Sequence, residues 1–148
     1  MMKLTLLTFM FFSFYPATLS HVRNESPDTD IIESVFRYQI AHCYKDRAPE
    51  MYFLSYLKQD PSDELIARLA SEGFLVKGRS QMSQFKNKNT GKWSIILAVS
   101  DIELRSDRRA DVRASCIAAW LDGRTYTYRV VRSNRRWIVT RSKLVGFS

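Results

Sequence analysis

The chain has 148 residues, 45% of them hydrophobic, and a formal net charge of +8. That length fits a single domain, and the apolar content excludes a disordered chain. The charge is uneven: residues 21–103 hold 11 Lys/Arg and 12 Asp/Glu, whereas residues 104–148 hold 11 and 3.

Residues 1–20, MMKLTLLTFMFFSFYPATLS, combine Lys3, an apolar run from Leu4 to Tyr15, the break at Pro16, and the short residues Ala17, Thr18 and Ser20. This is the layout of a cleavable secretory signal. A membrane-spanning helix needs roughly 20 apolar residues, so no permanent anchor is expected. Cleavage near Ser20 leaves 128 residues, His21–Ser148, in the periplasm or outside the cell. Residues 21–30 read as a polar leader, and 31–148 as one domain.

Asp28 or Thr29 is suited to cap a first helix. Ile32, Val35, Phe36, Gln39, Ile40 and Cys43 recur at three- and four-residue steps, giving one apolar stripe, and Pro49 closes the segment. MYFLSYL (51–57) reads as a short strand. DPSDELIARLASEG reads as a second helix with Asp60 as cap, Pro61 at the first helical position and acids in the first turn. Its buried stripe is Leu65, Ile66 and Leu69, and Gly73 ends it. FLVKG is extended, and residues 79–91 read as a polar loop.

From Trp93 the period becomes two. Trp93, Ile95, Leu97 and Val99 share a face, and a phase shift near Ser100–Asp101 indicates a bulge. Val112, Ala114, Cys116, Ala118 and Trp120 line the next strand's core side, LDGR forms a turn, and strands follow at 124–132 and 136–145. The expected fold is α+β, with N-terminal helices packed on a curved antiparallel sheet. This pattern resembles the cystatin-like/NTF2-like cone.

Cys43 and Cys116 are the only cysteines. An oxidising compartment favours a bridge between them; the alternative is two buried thiols. Two cysteines without clustered histidines cannot build a structural zinc site. His21, if it became the N-terminal residue, could chelate copper with His42, but the sequence gives that geometry no support and no cofactor is expected.

No nucleophile elbow, zincin, P-loop or dinucleotide fingerprint is present. The stretch VFRYQI (35–40) is similar to the first helix of ketosteroid-isomerase-like enzymes. That resemblance implies Tyr38 as an oxyanion donor in the cone cavity of an isomerase- or dehydratase-like enzyme, the alternative expectation. The family's general base is missing from 44–54, and Asp101 near the bulge is the carboxylate left for that role. The leading expectation is a non-catalytic binding domain for a small molecule or a protein. Tyr38, Tyr52, Trp93, Trp120, Tyr128 and Trp137 are its pocket candidates, with plain core packing as their alternative role. In RTYTYRVVRSNRRWIVT (124–140) the tyrosines alternate onto the core side, so a nucleic-acid reader is not expected. Arg129, Arg135, Arg136 and Arg141 are left as an exposed basic edge for an acidic partner, and an anion-binding module built on the arginines of 105–141 is the third expectation. A second copy meeting the sheet face is a further expectation.

The segments VFRYQIAHC, YFLSYLKQDPSDELIARL, VKGRSQMS and TYRVVRSNRRWIV, in this order, resemble a family of small exported bacterial domains of uncharacterised function. The resemblance spans nearly all of residues 21–148. It implies one domain outside the cytoplasm and transfers no catalytic residue.

Overall fold

The computed structural model describes residues 27–47, 49–119 and 122–147. The signal segment, most of the polar leader, His21 and Trp120 lie outside them. Helix α1 (Pro27–His42) starts inside the stretch read as leader. Pro27 stands at its first position, where the missing N–H is not needed, and Asp28 and Asp30 lie in the first turn. Strand β1 (Met51–Tyr56), helix α2 (Asp63–Ser71) and strand β2 (Val76–Gly78) follow, then the long strands β3 (Ser94–Ser106), β4 (Arg109–Ala119), β5 (Asp122–Ser133) and β6 (Arg136–Phe147).

These strands form one sheet in the order β2-β1-β3-β4-β5-β6. The fold is α+β, but the expected all-antiparallel sheet is corrected to a mixed one. β1 runs parallel to both β2 and β3, and only β3 to β6 form an antiparallel meander. The cause lies in the connection: α2 carries the chain back between β1 and β2, and such a crossover delivers a parallel strand.

The helices cover one face of the sheet, termed inner. Ile31, Ile32, Val35 and Phe36 of α1, with Leu65 and Leu69 of α2, pack there against Leu54, Ile95, Leu97, Val99, Val112, Ala114, Tyr128 and Val130. Glu33 ties the helices together: its carboxylate meets Arg68 at 2.7 Å and also pairs with Arg37, which reaches on to Glu72. The expected bulge is present, with a register shift between Val99 and Asp101. Ile102 then packs on the inner core, so neighbouring Asp101 falls on the outer face.

Two local readings are corrected. The cap of α2 is Ser62, whose Oγ accepts the Leu65 N–H at 3.2 Å, and Asp60 and Pro61 precede the helix. Asp60 instead accepts from the Ser80 N–H at 2.8 Å and from its hydroxyl. The segment read as a polar loop carries Met82 and Phe85 onto the outer face. There Phe85 joins Phe53 and Ile96 in a second small core, flanked by Met51, Met82, Ala98 and Ile117.

Cys43, just past the end of α1, is disulfide-bonded to Cys116 in the middle of β4, with the Cα atoms 6.3 Å apart. The bond pins the helix end to the sheet. No helix among the described residues is long and apolar enough to cross a membrane.

Candidate functional site

Residues 79–93 form the wall of an open cleft on the outer face, about 780 Å³ in volume. The segment is held at both ends. At its start, the Asp60 bonds to Ser80 fix the turn at Arg79–Gln81. Those hydrogen bonds hold the Asp60 carboxyl below the usual carboxylate range. A Cβ at Gly78 would stand 2.3 Å from Asp60 Oδ2, so any larger residue there must displace the Asp60 carboxylate.

At its far end, the chain folds back on itself. The Ser94 N–H donates to Phe85 O at 2.7 Å and the Asn87 N–H to Lys92 O at 2.9 Å. The Asn87 side chain organises the turn by accepting from the Asn89 N–H at 2.9 Å and the Thr90 N–H at 3.2 Å. Its amide donates to Glu50 at 3.1 Å. Gly91 turns with a φ of +69°, in the left-handed region that glycine enters without strain.

The cleft is lined by Met82, Phe85 and Trp93 as apolar surface and by Arg79, Lys86 and Lys88 as cations, with Ser83, Gln84 and Asn87 between them; no carboxylate lines it among the described residues. Trp93 is 40% exposed, and the Lys86 ammonium lies 5.5 Å from its ring centroid. The alternation placed Trp93 in the inner row with Ile95. It sits just before β3 instead and faces the cleft. An aromatic wall edged by cations can hold a ligand with an apolar body and an acidic group.

The other candidate aromatics do not line this cleft. Tyr128 is fully buried and Trp137 nearly so, both within the inner core. Burial holds the Tyr128 phenol well above its ordinary range. Tyr52 is half-buried, with its hydroxyl 3.5 Å from Ile40 O, and burial raises its pKa also. Tyr38 stacks on His42 at 4.0 Å and meets Tyr128 edge-on at 5.5 Å, and its hydroxyl is 3.3 Å from Ser142 Oγ. Tyr38 thus works on the inner side, whereas Asp101 is exposed on the outer face. The two have the sheet between them and share no cavity.

His42 Nδ1 lies 2.8 Å from Tyr38 O, closing the last turn of α1. Among the described residues no cluster of three or more His, Cys, Asp or Glu side chains could hold a metal ion.

The basic residues also separate. Glu103, Asp111, Arg129 and Arg141 stand in one row across β3 to β6. Asp111 draws Arg105 at 2.9 Å, Arg129 at 3.5 Å and Arg109 at 3.7 Å. Burial opposes its charged form, but the hydrogen bonds from Arg105 and Arg129 and the charge of Arg109 outweigh that and keep the carboxyl below its usual range. Arg129 thus pairs with Asp111 while its side chain stays 38% exposed on that edge. Arg135 and Arg136 border a groove with Trp137, Arg37, Asp30, Glu33 and Glu72, so their surroundings on that side carry both signs of charge.

A scan of protein-family models found no match, and neither the curated proteins nor the solved structures yielded one.

Proposed function

We propose that this chain is an exported, non-catalytic binding domain whose ligand occupies the cleft under residues 79–93. The carrying observation is the lining: Met82, Phe85 and Trp93 beside Arg79, Lys86 and Lys88, with no acidic side chain among them. Apolar and aromatic surface supplies affinity, and the few charged groups select what binds. The ligand class that fits is an amphipathic anion, an aromatic or aliphatic body bearing a carboxylate, sulfonate or phosphate.

Export is supported by the signal-like segment at 1–20 and by the Cys43–Cys116 disulfide, a bond that persists in oxidising compartments. On the same footing, α1 laid across the β3–β6 meander is read as a variant of the cystatin-like/NTF2-like cone. Kinship with small exported bacterial domains is part of this proposal.

The test uses anilinonaphthalene sulfonate, an aromatic anion whose fluorescence rises in apolar surroundings. Saturable one-site binding by the folded protein is expected, weakened about tenfold by Trp93→Ala and again by Lys86→Gln with Lys88→Gln. Near-ultraviolet circular dichroism checks that each variant stays folded. Binding that is absent, or unchanged in folded variants, rules the cleft out.

A further inference from the structure

The β3–β4 and β5–β6 turns lie side by side at the far end of the meander, joined by the Arg132 N–H donating to Arg108 O at 2.8 Å. Between them is a cleft of about 510 Å³ lined by Asp107, Arg108, Arg132, Ser133, Asn134 and Arg135. Three guanidiniums thus face one carboxylate, Asp107. Among the described residues none of Arg108, Arg132 and Arg135 forms a salt bridge, in contrast to Arg105, Arg109 and Arg129, which Asp111 gathers.

The β5–β6 turn supplies an independent observation. Asn134 and Arg135 both have left-handed backbones, with φ of 49° and 64°. A two-residue turn of this kind favours Asn followed by Gly. Asn134 fits that rule, but Arg stands where glycine would cost least, and left-handed φ costs an ordinary residue roughly 1–2 kcal/mol. Backbone strain of this sort gathers where a side chain has work to do.

We infer that this cleft is a binding site for a multiply charged oxyanion of the phosphoryl type. Arg108 and Arg135 approach from the two turns and Arg132 from the strand between them, each offering a planar fork of donors matched to phosphate oxygens. The site is separate from the aromatic cleft. Ser94 and Ser106 are the two ends of 13-residue β3, so the clefts are roughly 40 Å apart at about 3.3 Å per residue.

The experiment titrates the purified domain at low salt with two probes: inorganic pyrophosphate, followed by calorimetry, and phosphatidylcholine vesicles containing phosphatidylglycerol, followed by sedimentation. Binding of pyrophosphate identifies a soluble phosphate ester as the source of the group. Binding of the anionic vesicles alone identifies a lipid headgroup. In either arm Arg108→Gln and Arg135→Gln are each expected to weaken binding about tenfold, while the control pair Arg141→Gln with Lys143→Gln leaves it within about twofold.

Arg135→Gly separates binding from folding. It removes the side chain and relaxes the backbone, so it should melt at or above the parent temperature and still lose affinity. The inference is overturned if neither probe binds, if the cleft variants bind like the parent, or if the control pair loses as much as they do.

Discussion

The Tyr44 hydroxyl donates to Asp122 Oδ1 at 2.7 Å and also lies 2.8 Å from Asp122 O. Arg47 and Arg124 sit 5.0 and 4.7 Å from the Tyr44 ring centroid, and Arg47 pairs with Asp122 at 2.8 Å. The residue after Cys43 thus fastens the end of α1 to the start of β5, beside the disulfide. Tyr44→Phe is expected to cost about 1–2 kcal/mol. Urea denaturation at neutral pH measures it, and a loss below a few tenths would mean that the hydroxyl contributes nothing to the anchor.

Alkali should act through the same residue and through Tyr128. Burial raises both phenols, and at Tyr44 the hydrogen bond to Asp122 adds to it. A phenol whose folded pKa lies above the unfolded value of about 10 favours the folded state fully below that pH. Its contribution is lost as pH rises through the folded value. Stability should therefore fall above about pH 10, with tyrosinate absorbance from these two residues appearing only on unfolding. Early, independent ionisation of all tyrosines would contradict this.

Acid should act through Asp111. Its folded pKa is lowered, so its contribution is present above the unfolded value of about 3.9 and is lost as pH falls through the folded one. Denaturation midpoints of the parent should drop steeply below about pH 4. Asp111→Asn should be less stable at pH 7 and show a shallower acid limb; parallel curves would show that Asp111 does not couple to folding.

Gly78→Ala puts a Cβ against the Asp60 carboxylate, which must shift and is expected to lose its bonds to Ser80. The expected cost is about 1–3 kcal/mol, together with weaker anilinonaphthalene sulfonate binding, since Asp60 holds the start of the cleft wall. A stability loss with no change in binding would separate the anchor from the cleft.

Replacing both cysteines by serine opens a loop spanning 73 positions, a constraint that contributes about 4 kcal/mol in the chain-entropy picture. The double variant should melt well below the parent, and the oxidised parent should lose the same amount on reduction. Equal stability of the two redox states would refute this.

Much of the architecture was legible because it rests on periodicity. The α1 stripe, the two-residue period of β3 to β6 and the phase shift at Ser100–Asp101 each follow from apolar spacing. The parallel seam is legible too, since a helical segment between MYFLSY and VKG implies a crossover and hence a parallel strand. The cleft was harder to read. Its apolar residues Met82, Phe85 and Trp93 are spread through a segment rich in Lys, Asn and Ser, with no period to tie them. The signal was two lone apolar residues inside a loop that polarity alone leaves exposed. Asp60 misled because a carboxylate before Pro reads as a helix cap, while its partner, Ser80, is distant in sequence.

The mixed sheet also sets an order of assembly. The meander closes through neighbouring hairpins, whereas β1 must meet β3 across the whole α2–β2 excursion, as in the pairing of Met51 with Ser94. Local contacts form early and distant ones late, so β3 to β6 are the natural nucleus, and β1, β2 and the segment that walls the aromatic cleft are added last. The edge that closes last is also the one that should open most readily, so amide protons around Phe85 and Asn87 should exchange ahead of those in β4. Partial opening at that edge then loosens the wall of the cleft with the nucleus left intact.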